Sequence, residues 1–149
     1  MTASRARLAG VLVVAVLVLV GCGGGRAADA GDAANVKRTV QRALTALADG
    51  NGPAFCALAT AGAQAELART TPGASCAGVV RRISRQLSDR VKLGLRYARV
   101  GKVSLSGDRA TIRAGDITST RGTVKGFLQA SAAPTQLIRQ ADGSWKIAG

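Results

Sequence analysis

Histidine is absent from the 149 residues, carboxylates number eight against 21 Lys and Arg, and only four aromatic side chains occur: Phe55, Tyr97, Phe127 and Trp145. Each shortage removes a class of function. With no histidine and three cysteines, the donors of an ordinary metal site are lacking. Neither Cys56 nor Cys76 has an imidazole to make it a thiolate nucleophile. A net charge of +13 attracts phosphates, anionic lipids or acidic polymers, but four aromatics do not make a base-stacking platform. No cofactor, no metal and no nucleic acid partner is therefore expected. The glycine-rich "GCGGG" follows an apolar run instead of joining a strand to a helix, so it is not a phosphate-cradling loop.

The few carboxylates mostly have structural explanations. Asp29 and Asp32 fall in a tether or at the start of the first helix, Asp49 in a helix stop, Glu66 on an exposed helix face, and Asp89 at a helix-to-strand junction. Asp108 and Asp142 sit in "SGD" and "ADG", where aspartate is favoured for its own hydrogen bonding. Only Asp116, in "AGDIT", lacks a firm role, and Gly115 before it fits a bulge or turn. Tyr97, the single tyrosine, lies on an alternating apolar stretch and reads as core.

A long apolar run is present once, at the N-terminus. Arg5 and Arg7 precede an apolar stretch from Leu8 to Val20 broken only by Gly10. As a helix of ~1.5 Å rise per residue it reaches only about 20 Å, against the ~30 Å of a hydrocarbon core. It has the length of the apolar region of a secretory signal. At its end, Leu19-Val20-Gly21-Cys22 resembles the lipobox of bacterial lipoproteins, with a branched residue three places before the cysteine and a small one directly before it. The resemblance implies cleavage after Gly21 and acylation of Cys22 by palmitate-type chains. It thereby implies a lipid-anchored protein on the extracytoplasmic face of the cell membrane. Two acyl chains suffice for stable anchoring. Residues 1–21 are then signal peptide, and residues 22–33 a small-residue, flexible tether.

Export leaves Cys56 and Cys76 as a pair in an oxidising compartment, where a disulfide is expected. From Ala34 onward the pattern is that of one domain, 34–149. Val36, Val40, Leu44 and Leu47 form a helical stripe stopped by "DGNG". A short helix follows Pro53, another spans about 61–69, and a fourth runs from about 74 to 88. Beyond Asp89, Val91, Leu93, Leu95 and Tyr97 alternate, predicting a strand. "VSLSGDRATIRA" predicts a hairpin, residues 123–130 a further strand, and "TQLIRQ" with "SWKIAG" a closing hairpin turned at Asp142-Gly143. Helices first and an antiparallel meander afterwards define an α+β class.

The order of a helix ending in "LADGN", short helices, the "VSLSGDRATI" hairpin and the closing "LIRQADGSWKI" resembles the nuclear transport factor 2-like superfamily, above all its small extracytoplasmic lipoproteins. The resemblance implies N-terminal helices packed on a curved antiparallel sheet, a cone with an apolar cavity. It also implies two alternatives for function. One is a non-enzymatic binding or accessory domain for an apolar or lipid-like ligand or an envelope protein partner, which includes homodimerisation through the sheet. The other is a small enzyme of ketosteroid isomerase-like or polyketide cyclase-like type, with Asp116 as base and Tyr97 as donor. The absence of histidine and the structural roles of the other acids favour the first.

The positive charge is concentrated in "RRISRQLSDRVKLGLRYARVGK". Arg81, Arg82, Arg85, Arg90, Lys92, Arg96, Arg99 and Lys102 stand there with Asp89 as the single acid. Cleavage after Gly21 would remove Arg5 and Arg7 and no acid, so the charge of +13 becomes +11. This region is the expected contact with anionic lipid headgroups or acidic wall polymer; the ordinary alternative is a solvated face.

Overall fold

The computed structural model describes residues 25–130 and 135–148. The segment expected to be a signal peptide, residues 1–21, and Cys22 lie outside the described residues. Five helices, α1 (Gly25–Ala48), α2 (Gly52–Ala57), α3 (Ala61–Arg69), α4 (Cys76–Gln86) and α5 (Asp89–Arg96), come first. They are followed by β1 (Ala98–Val100), β2 (Ser104–Ser106), β3 (Arg109–Ile112), a single 3-10 turn (Ala114–Asp116), β4 (Ile117–Ser119), α6 (Lys125–Ala130), β5 (Thr135–Arg139) and β6 (Trp145–Ile147). The class is α+β, with helices against an antiparallel sheet, an arrangement compatible with a cone. Among the described residues no helix is long and apolar enough to cross a membrane.

Local chemistry sets the helix limits. Asn51, Thr60, Ser75 and Ser88 each accept, through a side-chain oxygen, a backbone N–H in the first turn of α2, α3, α4 and α5. α1 ends in a Schellman motif. Gly50 takes a φ of +66°, its N–H reaches the Leu47 carbonyl at 3.2 Å, and the Asn51 N–H reaches Ala46 at 2.8 Å. Buried Ser84 donates to the Ala48 carbonyl at 3.2 Å, satisfying another group at that end.

The sheet has the order β2-β3-β5-β6, antiparallel throughout, and β1 pairs separately with β4. Leu105, Ala110, Leu137 and Ile147 align across it in one row. That row faces α1, and with Val36, Val40, Leu44, Ile112 and Trp145 it belongs to one continuous core. The adjacent rows put Ser104, Thr111 and Gln136, and Ser106, Arg109, Ile138 and Lys146, on the opposite face. That outer face is polar apart from Ile138, so it offers little apolar area for a sheet-to-sheet dimer.

Three sequence expectations are corrected. Residues 91–97 are not a strand: Val91, Leu93 and Leu95 lie in α5, with Tyr97 as its C-cap. An alternating run contains two pairs spaced by four, and on a helix those pairs fall on opposite faces. Residues 125–130 form α6, because Val124, Phe127 and Leu128 follow a helical three-and-four step. Finally, α1 begins at Gly25, inside the segment expected to be a tether. Asp32 neither caps nor dangles there. It forms an ion pair with Arg139 and accepts the Trp145 indole N–H at 3.5 Å. These contacts clip the first half of α1 to the β5–β6 hairpin.

Candidate functional site

The cysteines form the expected bridge, Cys56 in α2 to Cys76 at the start of α4, with Cα atoms 6.3 Å apart. The two helices also touch backbone to backbone: a Cβ on Gly52 would lie 2.4 Å from the Ala77 carbonyl oxygen. Beside the bridge, α3 is held through its N-terminal half. The Thr60 N–H donates to the Ile147 carbonyl and the Ile147 N–H to that of Leu58, each at 2.8 Å, and the Gln64 amide donates to the carbonyls of Cys56 (2.8 Å) and Ala59 (3.2 Å). No α3 residue is fully buried. The helix therefore stands off from the body and leaves an apolar cleft of about 260 Å³ walled by Phe55, Ala59, Ala63, Leu67, Cys76 and Ile147. Glu66 and Thr70 lie at its edge. The volume is just under the ~300–1,000 Å³ common for small-molecule sites. Two wider depressions, about 550 and 480 Å³, flank α1 and share Arg38, Arg42 and Leu58.

The basic residues named from the sequence are divided between elements. At about 100° per residue, Arg81, Arg82 and Arg85 share the solvent side of α4, opposite buried Val79, Val80 and Ser84. Arg90, Lys92 and Arg96 belong to α5, and Arg99 to β1. Arg96 pairs with Asp49, Nε to Oδ1 2.7 Å, in a half-exposed position. Arg96, Tyr97 and Arg99 line one shallow depression. Lys102 is exposed on the loop after β1.

Tyr97 is not a core residue: it is 42% exposed, and Leu93, one turn before it, is 38% exposed. Among the described residues these are the two exposed large apolar side chains. The guanidinium of Arg121 lies 4.7 Å from the Tyr97 ring centroid, within cation–π range. Sequence reasoning missed Arg121, an isolated cation in the β4–α6 loop. Two glycines put it there. A Cβ at Gly94 would be 2.2 Å from the Thr123 carbonyl oxygen, and one at Gly122 2.3 Å from that of Arg90. The loop thus lies directly on α5, and the Thr123 N–H donates to the Arg90 carbonyl at 3.2 Å.

Asp116 ends the 3-10 turn, and its carbonyl accepts the Gly101 N–H at 2.7 Å. Tyr97 is at the other end of the β1–β4 ladder, its carbonyl accepting from Thr120. Four residues at ~3.3 Å each put about 13 Å of strand between them, and Tyr97 lies exposed in a shallow depression whose lining does not include Asp116. Among the described residues no cluster of three Cys, Asp or Glu side chains could hold a metal ion. No buried side-chain nitrogen or oxygen among them lacks a partner.

Comparison of the chain with known protein families, curated proteins and solved structures finds no match.

Proposed function

We propose that this protein is a lipid-anchored extracytoplasmic lipoprotein whose nuclear transport factor 2-like domain binds an apolar, lipid-like ligand without acting on it. The observation that carries the ligand is the cleft between α2, α3 and β6. Its walls are almost wholly apolar; of the two polar residues in its lining, Glu66 pairs with Arg69 and the Thr70 hydroxyl donates to the Leu67 carbonyl. Such a surface gains free energy by burying hydrocarbon, about 25 cal/mol for each Å². The domain presents its exposed arginines to anionic headgroups or acidic wall polymer, while the acylated Cys22 holds it at the membrane. Tyr97 stands exposed beneath Arg121, at the opposite end of the β1–β4 ladder from Asp116, and this arrangement supports a binding role over the isomerase-like or cyclase-like alternative.

Titration with dodecanol, followed by NMR, tests the cleft. Resonances of Phe55, Leu67 and Ile147 are expected to shift and saturate, and Ala63→Trp, which fills the space, to abolish the response. Shifts that persist in Ala63→Trp, or none up to the solubility limit of the alcohol, overturn the ligand assignment. Intact mass of the protein from its own membranes checks the anchor. A chain beginning at Met1 with no acyl mass removes it.

A further inference from the structure

The two exposed apolar side chains are neighbours on one helix face. Leu93 and Tyr97 lie four residues apart, one turn of α5, and so stack along the helix. Around them stand Arg90 and Arg96 on α5, Arg99 on β1 and Arg121 over the Tyr97 ring. Asp89, exposed and four residues before Leu93, is the one acid on this side of the helix, and Asp49 pairs with Arg96, so Arg90, Arg99 and Arg121 carry the excess positive charge. An apolar centre with a cationic border is the complement of an anionic bilayer surface. The leucine and the tyrosine ring enter the headgroup–acyl boundary, where amphipathic aromatics settle, while the guanidinium groups meet phosphate oxygens. Arg121 is held for this role. Its own N–H donates to the Ser119 hydroxyl oxygen at 3.2 Å, and the loop beneath it is seated on α5 by Gly94 and Gly122.

We propose that the Leu93–Tyr97 face of α5, bordered by Arg90, Arg96, Arg99 and Arg121, docks on the anionic surface of the lipid bilayer. This rests on the membrane-anchored reading and names, of the two basic faces, the one that makes contact. The outer face of α4 carries Arg81, Arg82 and Arg85 but no exposed large apolar residue. The position of α1 also fixes the orientation. Only Gly23 and Gly24 separate Cys22 from the helix, a reach of about 10 Å over three residue steps, so the start of α1 stays at the headgroups. Gln41 donates to the Ala98 carbonyl at 3.5 Å and Asp49 binds Arg96, which places α5 beside the second half of α1 with its Leu93–Tyr97 face turned outward. That face reaches the bilayer when α1 lies along the surface instead of standing on it.

Amide hydrogen exchange on the intact protein from its own membranes, reconstituted in vesicles, tests this. Two compositions are compared: phosphatidylcholine alone, and phosphatidylcholine with phosphatidylglycerol. Retention on the neutral vesicles reports the anchor. On the anionic vesicles, exchange in residues 89–97 is expected to slow about tenfold, and the slowing to shrink in high salt. Leu93→Ser with Tyr97→Ser, both at exposed positions, is expected to remove that protection while the protein stays on the vesicles. Arg121→Gln alone is expected to weaken it. Equal exchange on both vesicles, protection that survives the double substitution, or slowing confined to residues 81–86 overturns the proposal and leaves the anchor standing. Loss of the protein from neutral vesicles overturns the anchored reading itself and the proposal with it.

Discussion

Asp142 shows what one side chain does for a turn. Both the Ser144 hydroxyl, at 2.7 Å, and the Ser144 N–H, at 2.9 Å, donate to its Oδ1, while Gly143 takes the positive φ of +79° that closes the hairpin. The hydroxyl first, then the backbone N–H, hold the carboxyl below its ordinary value of 3.8. A lowered folded-state value means that the stabilisation is present above pH 3.8 and is lost as pH falls through the lowered value. An NMR titration of Asp142 should therefore show a midpoint below 3.8, and Ser144→Ala should move it upward. The same residue was legible as a turn residue in the sequence, because aspartate before glycine has this use in almost any fold. Asp32 was not, since its partners Arg139 and Trp145 are more than a hundred residues away along the chain.

At the scale of elements, α5 shows where pattern reading failed and why. Val91, Leu93, Leu95 and Tyr97 satisfy a period of two and also contain two pairs spaced by four. The local signal for a helix was present: Ser88 caps it and Asp89 stands in the first turn. The alternation outweighed that signal because seven residues hold too few repeats to separate the two periods. The helical answer turns half of the apolar residues outward, and so produces the Leu93–Tyr97 face that a strand would have buried. Contact between α5 and the loop before α6 makes a sharp prediction. Gly94→Ala gains up to about 1 kcal/mol of helix propensity. It also drives a methyl group against the Thr123 backbone, and overpacking of this kind costs about 1–3 kcal/mol. Backbone tied by its own hydrogen bond yields less than a side chain, so the clash wins, and the urea midpoint should fall. Gly126→Ala in α6, where the added methyl meets nothing within 4 Å, should raise it by the propensity gain alone.

For the whole molecule, the bridge between Cys56 and Cys76 acts on the unfolded chain as much as on the folded one. Their separation of 20 residues corresponds to about 3 kcal/mol of restricted chain entropy. Cys56→Ala with Cys76→Ala should lower the unfolding free energy by about that amount in urea denaturation. A small domain feels such a loss strongly. Among the described residues, the outer face of the sheet is largely polar, while the cleft beside α3 and the α5 face offer apolar area to bury.

The division between what was readable and what was not follows the range of the forces involved. Glycine turns, the α1 stripe, the two hairpins around Gly107 and Gly143, and the cysteine pair were legible by sequence alone. Each depends on residues a few positions apart, or, for the cysteines, on a covalent chemistry with one available partner. The start of α1 at Gly25, the standing of α3 away from the body, the seat of Arg121 over Tyr97 and the outward turn of Leu93 were decided only in three dimensions. Each is a contest between local preference and a surface supplied from a distant part of the chain, and burial against that surface settles it.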